Sequence, residues 1–252
     1  LFAGAGGGIL GGHLLGWRTV CAVERDAYAA QVLAQRQNDG ALRPFPIWSD
    51  ITSFDGKPWR GIVDVVSGGF PCQDISCAGK GAGITGERSG MWKEMARIIG
   101  EVRPSYAFIE NSPMLTTRGL DTILCDLAQM GYDAEWGVLG ASDIGYSSHR
   151  KRIWLVANPN QAGISRPLPG SSFNKIIRET NEIRRVFSKD GIRSSLEKWD
   201  SAGRPSGDTE SPLRRANDGL ANWDDRLKAI GNGQVPRVAA TAFTILQSRI
   251  NQ

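Results

Sequence analysis

The first 157 residues alternate short apolar runs with stretches of helical periodicity, and this alternation limits the fold more than any other feature of the sequence. Runs such as 62–67 (IVDVVS) and 105–110 (SYAFIE) are typical of buried strands. The predicted strands are 18–24, 62–67, 105–110, 134–139 and 152–157, and the predicted helices are 26–37, 91–103 and 117–131. Strands that alternate with helices predict an α/β fold with a mostly parallel sheet.

The composition changes after residue 158. Residues 159–222 are rich in Ser, Gly, Pro, Asn and Arg, and their 11 Lys and Arg against 8 Asp and Glu account for most of the net charge of +4. This segment fits either a small, basic, loop-rich domain or a flexible insertion. Helical periodicity returns in residues 223–252, which we expect to complete the first domain (1–158). The apolar face of that helix consists of Val238, Ala242, Ile245, Leu246 and Ile250.

The overall composition excludes some classes of protein. With 252 residues, 40% hydrophobic and 22% charged, the chain has an ordinary globular composition, and no apolar run approaches the roughly 18 residues that span a bilayer. The sequence shows no signal peptide. It begins at Leu1, inside a predicted strand, so we expect further residues before it. The basic pI of about 9.0 suits a polyanionic partner, although many other soluble proteins share it.

The four cysteines (21, 72, 77 and 125) form no CxxC pair, and His13 and His149 lie far apart in the sequence. A zinc site is therefore not expected. So few cysteines without a secretion signal favour free thiols in a reducing cytoplasm.

Residues 2–8 (FAGAGGG) precede an apolar helix. Glycines there let the main chain approach a ligand closely and leave the helix N-terminus open. Glu24, at the end of the next predicted strand, is placed to accept hydrogen bonds from two ribose hydroxyls. Gly6, Gly8 and Gly11 also satisfy GxGxxG, so a dinucleotide cofactor stays an alternative, as does a simple glycine turn. Asp50 follows a short strand and would either bind an adenine amino group or cap a turn.

Cys72 lies in the loop GGFPCQDISCAG (68–79), which directly follows the predicted strand 62–67. Ligand chemistry in an open α/β sheet takes place at the carboxyl ends of strands, so this is the position of a nucleophile. A cysteine attacks as the thiolate, and we therefore expect its surroundings to lower its pKa. The alternative is a buried structural cysteine.

Five motifs together resemble those of the DNA cytosine-C5 methyltransferases. GGFPCQDIS is similar to the PCQ motif of that family, and FAGAGGG to its first motif. ENSP (110–113) resembles its ENV motif with Ser112 in place of valine, and SHRKR (148–152) its QxRxR motif with Ser148 in place of glutamine. GNGQVP (231–236) resembles the closing GN-x-VP motif. The motifs occur in the family's order, and phage and bacterial members with a short recognition region resemble this chain most.

The resemblance implies a Rossmann-like, class I S-adenosylmethionine-dependent methyltransferase sheet and assigns a role to each catalytic residue. Cys72 would add to C6 of a flipped cytosine, and Glu110 would bind N3 and the exocyclic amine. Arg152 would position Glu110, and Arg150 would contact the target nucleotide. Methyl transfer to C5 would convert S-adenosyl-L-methionine to S-adenosyl-L-homocysteine, without a metal. The implied cofactor site consists of Phe2, Gly4, Gly6, Glu24, Asp50, Ile51, Pro71 and Asn232.

The resemblance also implies contacts with double-stranded DNA. Gln73 and Ser76 would face the DNA, and Lys80 and Arg88 in the glycine-rich loop 79–90 are additional candidates, although solvent exposure is the default for such residues. Residues 159–222 occupy the position of the target-recognition region. Arg214 and Arg215 there would either bind phosphates or read guanine.

Three other interpretations remain open on the sequence. One is an RNA cytosine-C5 methyltransferase of the same architecture, another is a catalytically inactive DNA-binding relative, and a more distant one is a nicotinamide oxidoreductase. For the favoured interpretation we expect a monomer in the cytoplasm of a bacterial or phage-infected cell, associated with the nucleoid and not with a membrane. Such an enzyme would serve restriction-modification if a cognate restriction endonuclease acts beside it.

Overall fold

The computed structural model describes residues 1–71, 90–146, 150–159, 225, 231 and 233–251. Strands and helices alternate along this part of the chain, as the sequence predicts. The strands are β1 (Ala22–Val23), β2 (Ile47–Trp48), β3 (Val65–Gly68), β4 (Tyr106–Asn111), β5 (Tyr132–Gly140) and β6 (Lys151–Pro159). The α-helices are α1 (Gly7–Leu14), α2 (Ala27–Asn38), α3 (Met91–Val102), α4 (Leu120–Gln129) and α5 (Pro236–Ile250).

Four of the strands form one sheet in the order β3-β4-β6-β5. β3 and β4 are parallel, whereas β6 runs antiparallel to both β4 and β5. The prediction of a mostly parallel sheet therefore needs one correction, because β6 is reversed between two strands that share a direction. The apolar pattern of a strand records which residues are buried, not which way the strand runs.

β1 and β2 form a separate parallel pair. Residues 1–3 link it to the larger sheet, because the amide of Ala3 donates to the carbonyl of Val23 (3.1 Å) and the amino group of Leu1 donates to that of Ser67 (2.7 Å). Residues of both β1 and β3 line one cleft, which contains the site described below.

Helices cover both faces of the four-stranded sheet. Side chains of β4 alternate between the two layers: Ala107 and Ile109 pack with α3 and α4, whereas Tyr106 and Phe108 pack with α5. β6 follows the same alternation, which is the period-2 pattern of a strand buried on both sides. The architecture is thus an α/β/α sandwich with a mixed central sheet.

The helices follow from local sequence signals. α2 begins after Asp26, whose side chain accepts from the amide of Ala29 (3.0 Å) and so caps the helix. α3 buries Trp92, Met95, Ile98, Ile99 and Val102, which recur at the spacing of one helical face. α5 starts with Pro236, whose fixed φ and missing amide proton suit the first helical turn.

The C-terminal helix was predicted from its apolar face, and the structure confirms it. Val238, Ala242, Ile245 and Leu246 are all buried against β5, β6 and α1, and Ile250 is partly buried against the same cluster. The helix therefore completes the layer that also contains α1.

Two predicted strands are shorter than their sequence patterns. Residues 18–24 contribute only Ala22–Val23 to β1, because the partner strand β2 also has two residues and follows Pro44 and Pro46, which lack amide protons. The run 62–67 becomes a strand only from Val65, because the amides of Ile62 and Val63 donate to the carbonyl of Trp59 in a turn. β5 and β6 are instead slightly longer than predicted.

The predicted helix 117–131 is also shorter than its pattern. Gly119 has φ of +129°, so α4 begins at Leu120, and a separate 3₁₀ helix covers Pro113–Thr117. Gly131, with φ of +76°, follows the end of α4 in the left-handed conformation common after helices. No described helix is long and apolar enough to cross a membrane. The predicted recognition region lies outside the described residues except for residue 159.

The packing of α5 predicts a large cost for truncating its central side chain. Phe243 is fully buried, and its ring makes edge-to-face contacts with Trp17, Tyr106 and Phe108. We expect Phe243→Ala to lower the free energy of unfolding by about 3–5 kcal/mol in urea denaturation. The exposed control Gln31→Ala, on α2, should change it by less than about 0.5 kcal/mol. Equal stability of the two variants would show that α5 does not dock as described.

Candidate active site

A cleft of about 500 Å³ opens between the two sheets. Its walls combine the glycine-rich turn, the edges of β1 and β3, the end of β4 and the segment before α5. Residues from these distant parts of the chain include Phe2, Gly4, Gly69, Glu110 and Gln234. A cleft of this size is within the range that holds small molecules.

The glycine-rich segment forms a tight turn that leads into α1. The amide of Gly6 donates to the carbonyl of Ala3 (3.0 Å), and Gly4 and Gly6 have φ of +52° and +91°. These left-handed conformations favour glycine. A side chain at Gly6 would also meet Leu33 at 2.8 Å, so glycine is needed there for space as well.

Glu24 lies directly after β1 and contacts this turn. One carboxylate oxygen accepts from the amide of Gly4 (2.6 Å) and the other from the amide of Asp26 (2.7 Å). Each carboxylate oxygen has a further lone pair. The structure thus brings Glu24 against the same turn whose residues Phe2 and Gly4 line the cleft.

The other residues predicted for the cofactor site that the structure describes are Asp50, Ile51 and Pro71. Asp50 caps the 3₁₀ helix Ile51–Ser53, accepting from the amide (3.0 Å) and the hydroxyl (2.8 Å) of Thr52. The hydrogen bond from the Thr52 amide holds the pKa of Asp50 below its ordinary value. Ile51 is buried in the core, and Pro71 is exposed. Capping and ligand binding are compatible for Asp50, since its carboxylate can accept several hydrogen bonds.

Glu110 is a buried carboxyl group at the carboxyl end of β4, with 8% of the residue exposed. Its Oε1 lies 2.8 Å from Nε of Arg152 in an ion pair. Burial raises the pKa of Glu110 above its ordinary value, and the charges of Arg152 and Arg150 and a hydrogen bond from Gln234 oppose this rise. Removal from water therefore outweighs its cationic neighbours, which favours the protonated form.

The two arginines of the sequence motif both act on Glu110, as alternation along a strand predicts. Arg152 belongs to β6 and also donates to the carbonyl of Lys151 (2.8 Å). The guanidinium of Arg150 hydrogen-bonds the carbonyl of Gly231, in the segment that precedes α5. Arg150 therefore connects the start of β6 to the closing motif.

Asn111 joins the end of β4 to the segment that leads to Cys72. Its side chain is buried; the amide nitrogen donates to the carbonyl of Phe70 (3.2 Å), and the amide oxygen accepts from the amide of Ser112 (2.7 Å). These bonds hold the segment before Cys72 against the end of β4.

Gln234 is the residue that the sequence interpretation missed. Its side-chain amide hydrogen-bonds Glu110, and it also lies against the first turn of α1. The closing motif GNGQVP drew attention to Asn232, and the only signal for Gln234 was a polar residue two positions further on.

Several predicted site residues lie outside the described residues. They are Cys72, Gln73, Ser76, Lys80, Arg88, Arg214, Arg215 and Asn232. Within the part of the chain that the structure describes, no cluster of three or more His, Cys, Asp or Glu side chains could hold a metal ion.

The family described as C-5 cytosine-specific DNA methylase matches residues 1–229 of the chain. Among similar proteins, the type II methyltransferase M.Eco47II of Escherichia coli is 34% identical over 208 residues, which are 79% of this chain and 49% of that protein. The type II methyltransferase M.CviJI of Paramecium bursaria Chlorella virus IL3A is 32% identical over 159 residues, or 62% of this chain and 41% of that protein. The chain thus spans about half or less of the length of these relatives.

Solved structures agree on the fold. The Dnmt2 methyltransferase of Schizosaccharomyces pombe, at 15% identity, superimposes with a TM-score of 0.61 over 100% of this chain and 98% of its own. The methyltransferase EhMeth of Entamoeba histolytica, at 17% identity, gives a TM-score of 0.54 over 68% of this chain and 55% of its own. These similarities confirm the predicted Rossmann-like methyltransferase fold.

The match over residues 1–229 covers most of the sequence, including the glycine-rich turn, the cysteine loop and the Glu110 strand, so the chain belongs to the C-5 cytosine-specific DNA methylase family.

Proposed function

We propose that this chain is a DNA cytosine-C5 methyltransferase that transfers a methyl group from S-adenosylmethionine to a flipped cytosine. The observation that carries the proposal is the buried carboxyl of Glu110, paired with Arg152 in the cleft that also contains the glycine turn. Perturbed titratable groups in a cleft are typical of catalytic sites. Membership of the family supplies the reaction class.

The chemistry begins with Cys72, which follows Gly69 by three residues. Connectivity keeps their Cα atoms within about 11 Å, and Gly69 lies against the Glu110 carboxylate. The thiolate of Cys72 forms a bond to C6 of cytosine, and the electron pair of the C5–C6 double bond moves toward N3. A proton from Glu110 at N3 neutralises the charge that develops there, which requires the raised pKa of this group.

The resulting enamine carries nucleophilic character at C5. S-adenosylmethionine, when bound, supplies an electrophilic methyl group. After C5 has taken the methyl group, a water molecule accepts the C5 proton, the thiolate of Cys72 leaves C6, and the proton at N3 returns to Glu110. Arg152 holds the Glu110 carboxyl in place throughout, and Arg150 contacts the target nucleotide.

The residues at the glycine turn fit a nucleoside cofactor. The cleft has the volume for a small molecule, and Glu24 presents carboxylate oxygens beside Gly4 that have capacity for ribose hydroxyls. In the proposal Phe2 packs on the adenine, Asp50 accepts from its amino group, and Gly6, Ile51, Pro71 and Asn232 complete the site.

DNA binding is proposed for residues that the structure leaves undescribed. Gln73, Ser76, Lys80 and Arg88 contact the DNA next to the flipped base, and Arg214 and Arg215 act from the recognition region 159–222. Residues 1–158 and 223–252 form the catalytic domain, which the packing of α5 on β5 and β6 supports. Extracting the base costs a few kcal/mol of stacking and pairing. We further propose that the enzyme acts as a monomer in the cytoplasm, alone or beside a separate endonuclease.

The decisive experiment traps the covalent intermediate. Duplex DNA in which 5-fluorocytosine replaces cytosine throughout presents every target sequence, and fluorine at C5 prevents the elimination that releases Cys72. We expect a denaturant-stable adduct of the chain with this DNA in the presence of S-adenosylmethionine. Cys72→Ser should form none, and Cys125→Ser, at an exposed position on α4, should form as much as the unchanged chain.

Three outcomes would contradict the proposal or its assignment of Cys72. Tight DNA binding without an adduct would identify an inactive DNA-binding relative, and an adduct with 5-fluorocytosine RNA alone would identify an RNA enzyme. An adduct with Cys72→Ser would show that another residue is the nucleophile.

Glu110→Gln should lower the rate of methyl transfer without lowering the stability of the fold at pH 8. We expect methyl transfer to fall at least 100-fold, because Gln has no proton to give to N3. A carboxyl whose pKa is raised by folding stabilises the fold fully below its unfolded pKa, near 4.5, and loses that contribution as pH rises through its folded pKa. Glu110→Gln should therefore be at least as stable as the unchanged chain at pH 8, and its advantage should shrink toward pH 4.5.

Urea denaturation at a series of pH values measures this difference directly. If Glu110→Gln instead became progressively less stable than the unchanged chain as pH rises, ionised Glu110 would stabilise the fold. Folding would then lower the pKa of Glu110 instead of raising it.

Glu24→Gln tests the cofactor site. The amide side chain has one acceptor oxygen instead of two, so it cannot accept from both Gly4 and Asp26 while keeping capacity for a ribose. We expect the dissociation constant for S-adenosylmethionine to rise roughly tenfold or more by calorimetry. Asp121→Asn, at an exposed position on α4, should leave it unchanged. Equal affinity of Glu24→Gln would remove Glu24 from the proposed site.

A further inference from the structure

Gln234 contacts both the end of β4 and the start of α1 in the cleft. It precedes α5 in the chain and lines the cleft together with Gly8, Gly69 and Glu110. Its side chain hydrogen-bonds the carboxyl of Glu110 on one side and lies against the first turn of α1 on the other. The same amide therefore touches the predicted catalytic group and the helix that follows the glycine turn.

Three glycines make room for this residue. A Cβ at Gly7 would collide with the main-chain carbonyl of Gln234, and one at Gly8 would lie 2.6 Å from its Oε1. A Cβ at Gly69 would lie 3.3 Å from its Nε2 and would collide with Glu110. Because main chain encloses the amide on both sides, packing fixes its position beside Glu110 independently of any ligand.

Gln234 differs chemically from the other partners of Glu110. Arginine only donates hydrogen bonds, so Arg150 and Arg152 favour the ionised carboxylate. A side-chain amide can donate to a carboxylate through Nε2 or accept from a protonated carboxyl through Oε1. Gln234 can thus hold Glu110 both before and after it gives up a proton.

We propose that Gln234 is a positioning residue for Glu110, which orients this carboxyl in both protonation states. The inference rests on the proposed function, in which Glu110 places a proton at N3 of cytosine. With Gln234, three parts of the chain position the carboxyl group: β4, which carries Glu110, β6, which carries Arg152, and the segment before α5.

The pH dependence of methyl transfer distinguishes positioning from a purely structural role. Gln234→Met keeps the size of the side chain and removes the hydrogen bond, so the pKa of Glu110 should rise. We expect the rate to fall about tenfold at the optimum and its alkaline limb to move up by about one pH unit. Gln234→Glu should move this limb at least as far, because two carboxyls then share the site.

The limb at acidic pH, which reports the thiol of Cys72, should not move in either variant. Gln31→Met, exposed on α2, should reproduce both limbs of the unchanged chain. If both Gln234 variants lost rate equally at all pH values, with unmoved limbs, the proposal would be wrong.

A second measurement needs no activity. Urea midpoints of the unchanged chain, Gln234→Met, Glu110→Met and the double variant form a thermodynamic cycle, since methionine at either position cannot make the hydrogen bond. We expect the shifts of the two single variants not to add, because each removes one end of the same hydrogen bond. Additive shifts would overturn the contact between Gln234 and Glu110. If the unchanged chain transferred no methyl group, the proposed function would be refuted. The thermodynamic cycle would still test the hydrogen bond between Gln234 and Glu110, because it does not depend on activity.

Discussion

The carboxyl of Glu110 is removed from water, and much of the surrounding architecture meets the requirements of that group. A buried ionisable group is costly unless charges or hydrogen bonds compensate for its lost hydration. Its compensating partners come from β6 and from the segment before α5, far away in the sequence. The reversal of β6 makes this possible: an antiparallel neighbour brings the start of β6, with Arg152, beside the end of β4, with Glu110.

The same reversal marks the limit of what the sequence predicted about the fold. The strands and helices were predictable because buried strands and amphipathic helices have different periods, and α5 was found from an apolar face that includes Val238, Ala242 and Ile245. Strand direction leaves no such trace, so β6 was not recognised as antiparallel. The points where strands begin and end depend on the strands they pair with. β1, for example, is limited to two residues by its short partner β2, which follows Pro44 and Pro46.

The site was predictable where local sequence signals coincide with sheet geometry. Glu110 lies at the end of one strand, Arg150 and Arg152 alternate at the start of another, and Glu24 follows a third, so each could be placed at a strand end. Gln234 could not be found in this way. The main chain at Gly7, Gly8 and Gly69 packs against Gln234. These glycines are far from Gln234 in the sequence, so their contact is visible only in the structure.

These glycines therefore have a role that differs from the usual one. Flexible turns explain Gly4 and Gly6, which have positive φ, but Gly7 and Gly8 lie within α1, where glycine costs helix stability. What they provide is space for Gln234. The first turn of α1 loses helix stability in order to admit the Gln234 amide. The neighbouring carboxyl of Glu110 is buried, which disfavours its ionised form. Both features cost free energy of folding. That cost is intelligible if the amide and the carboxyl serve the chemistry of the cleft.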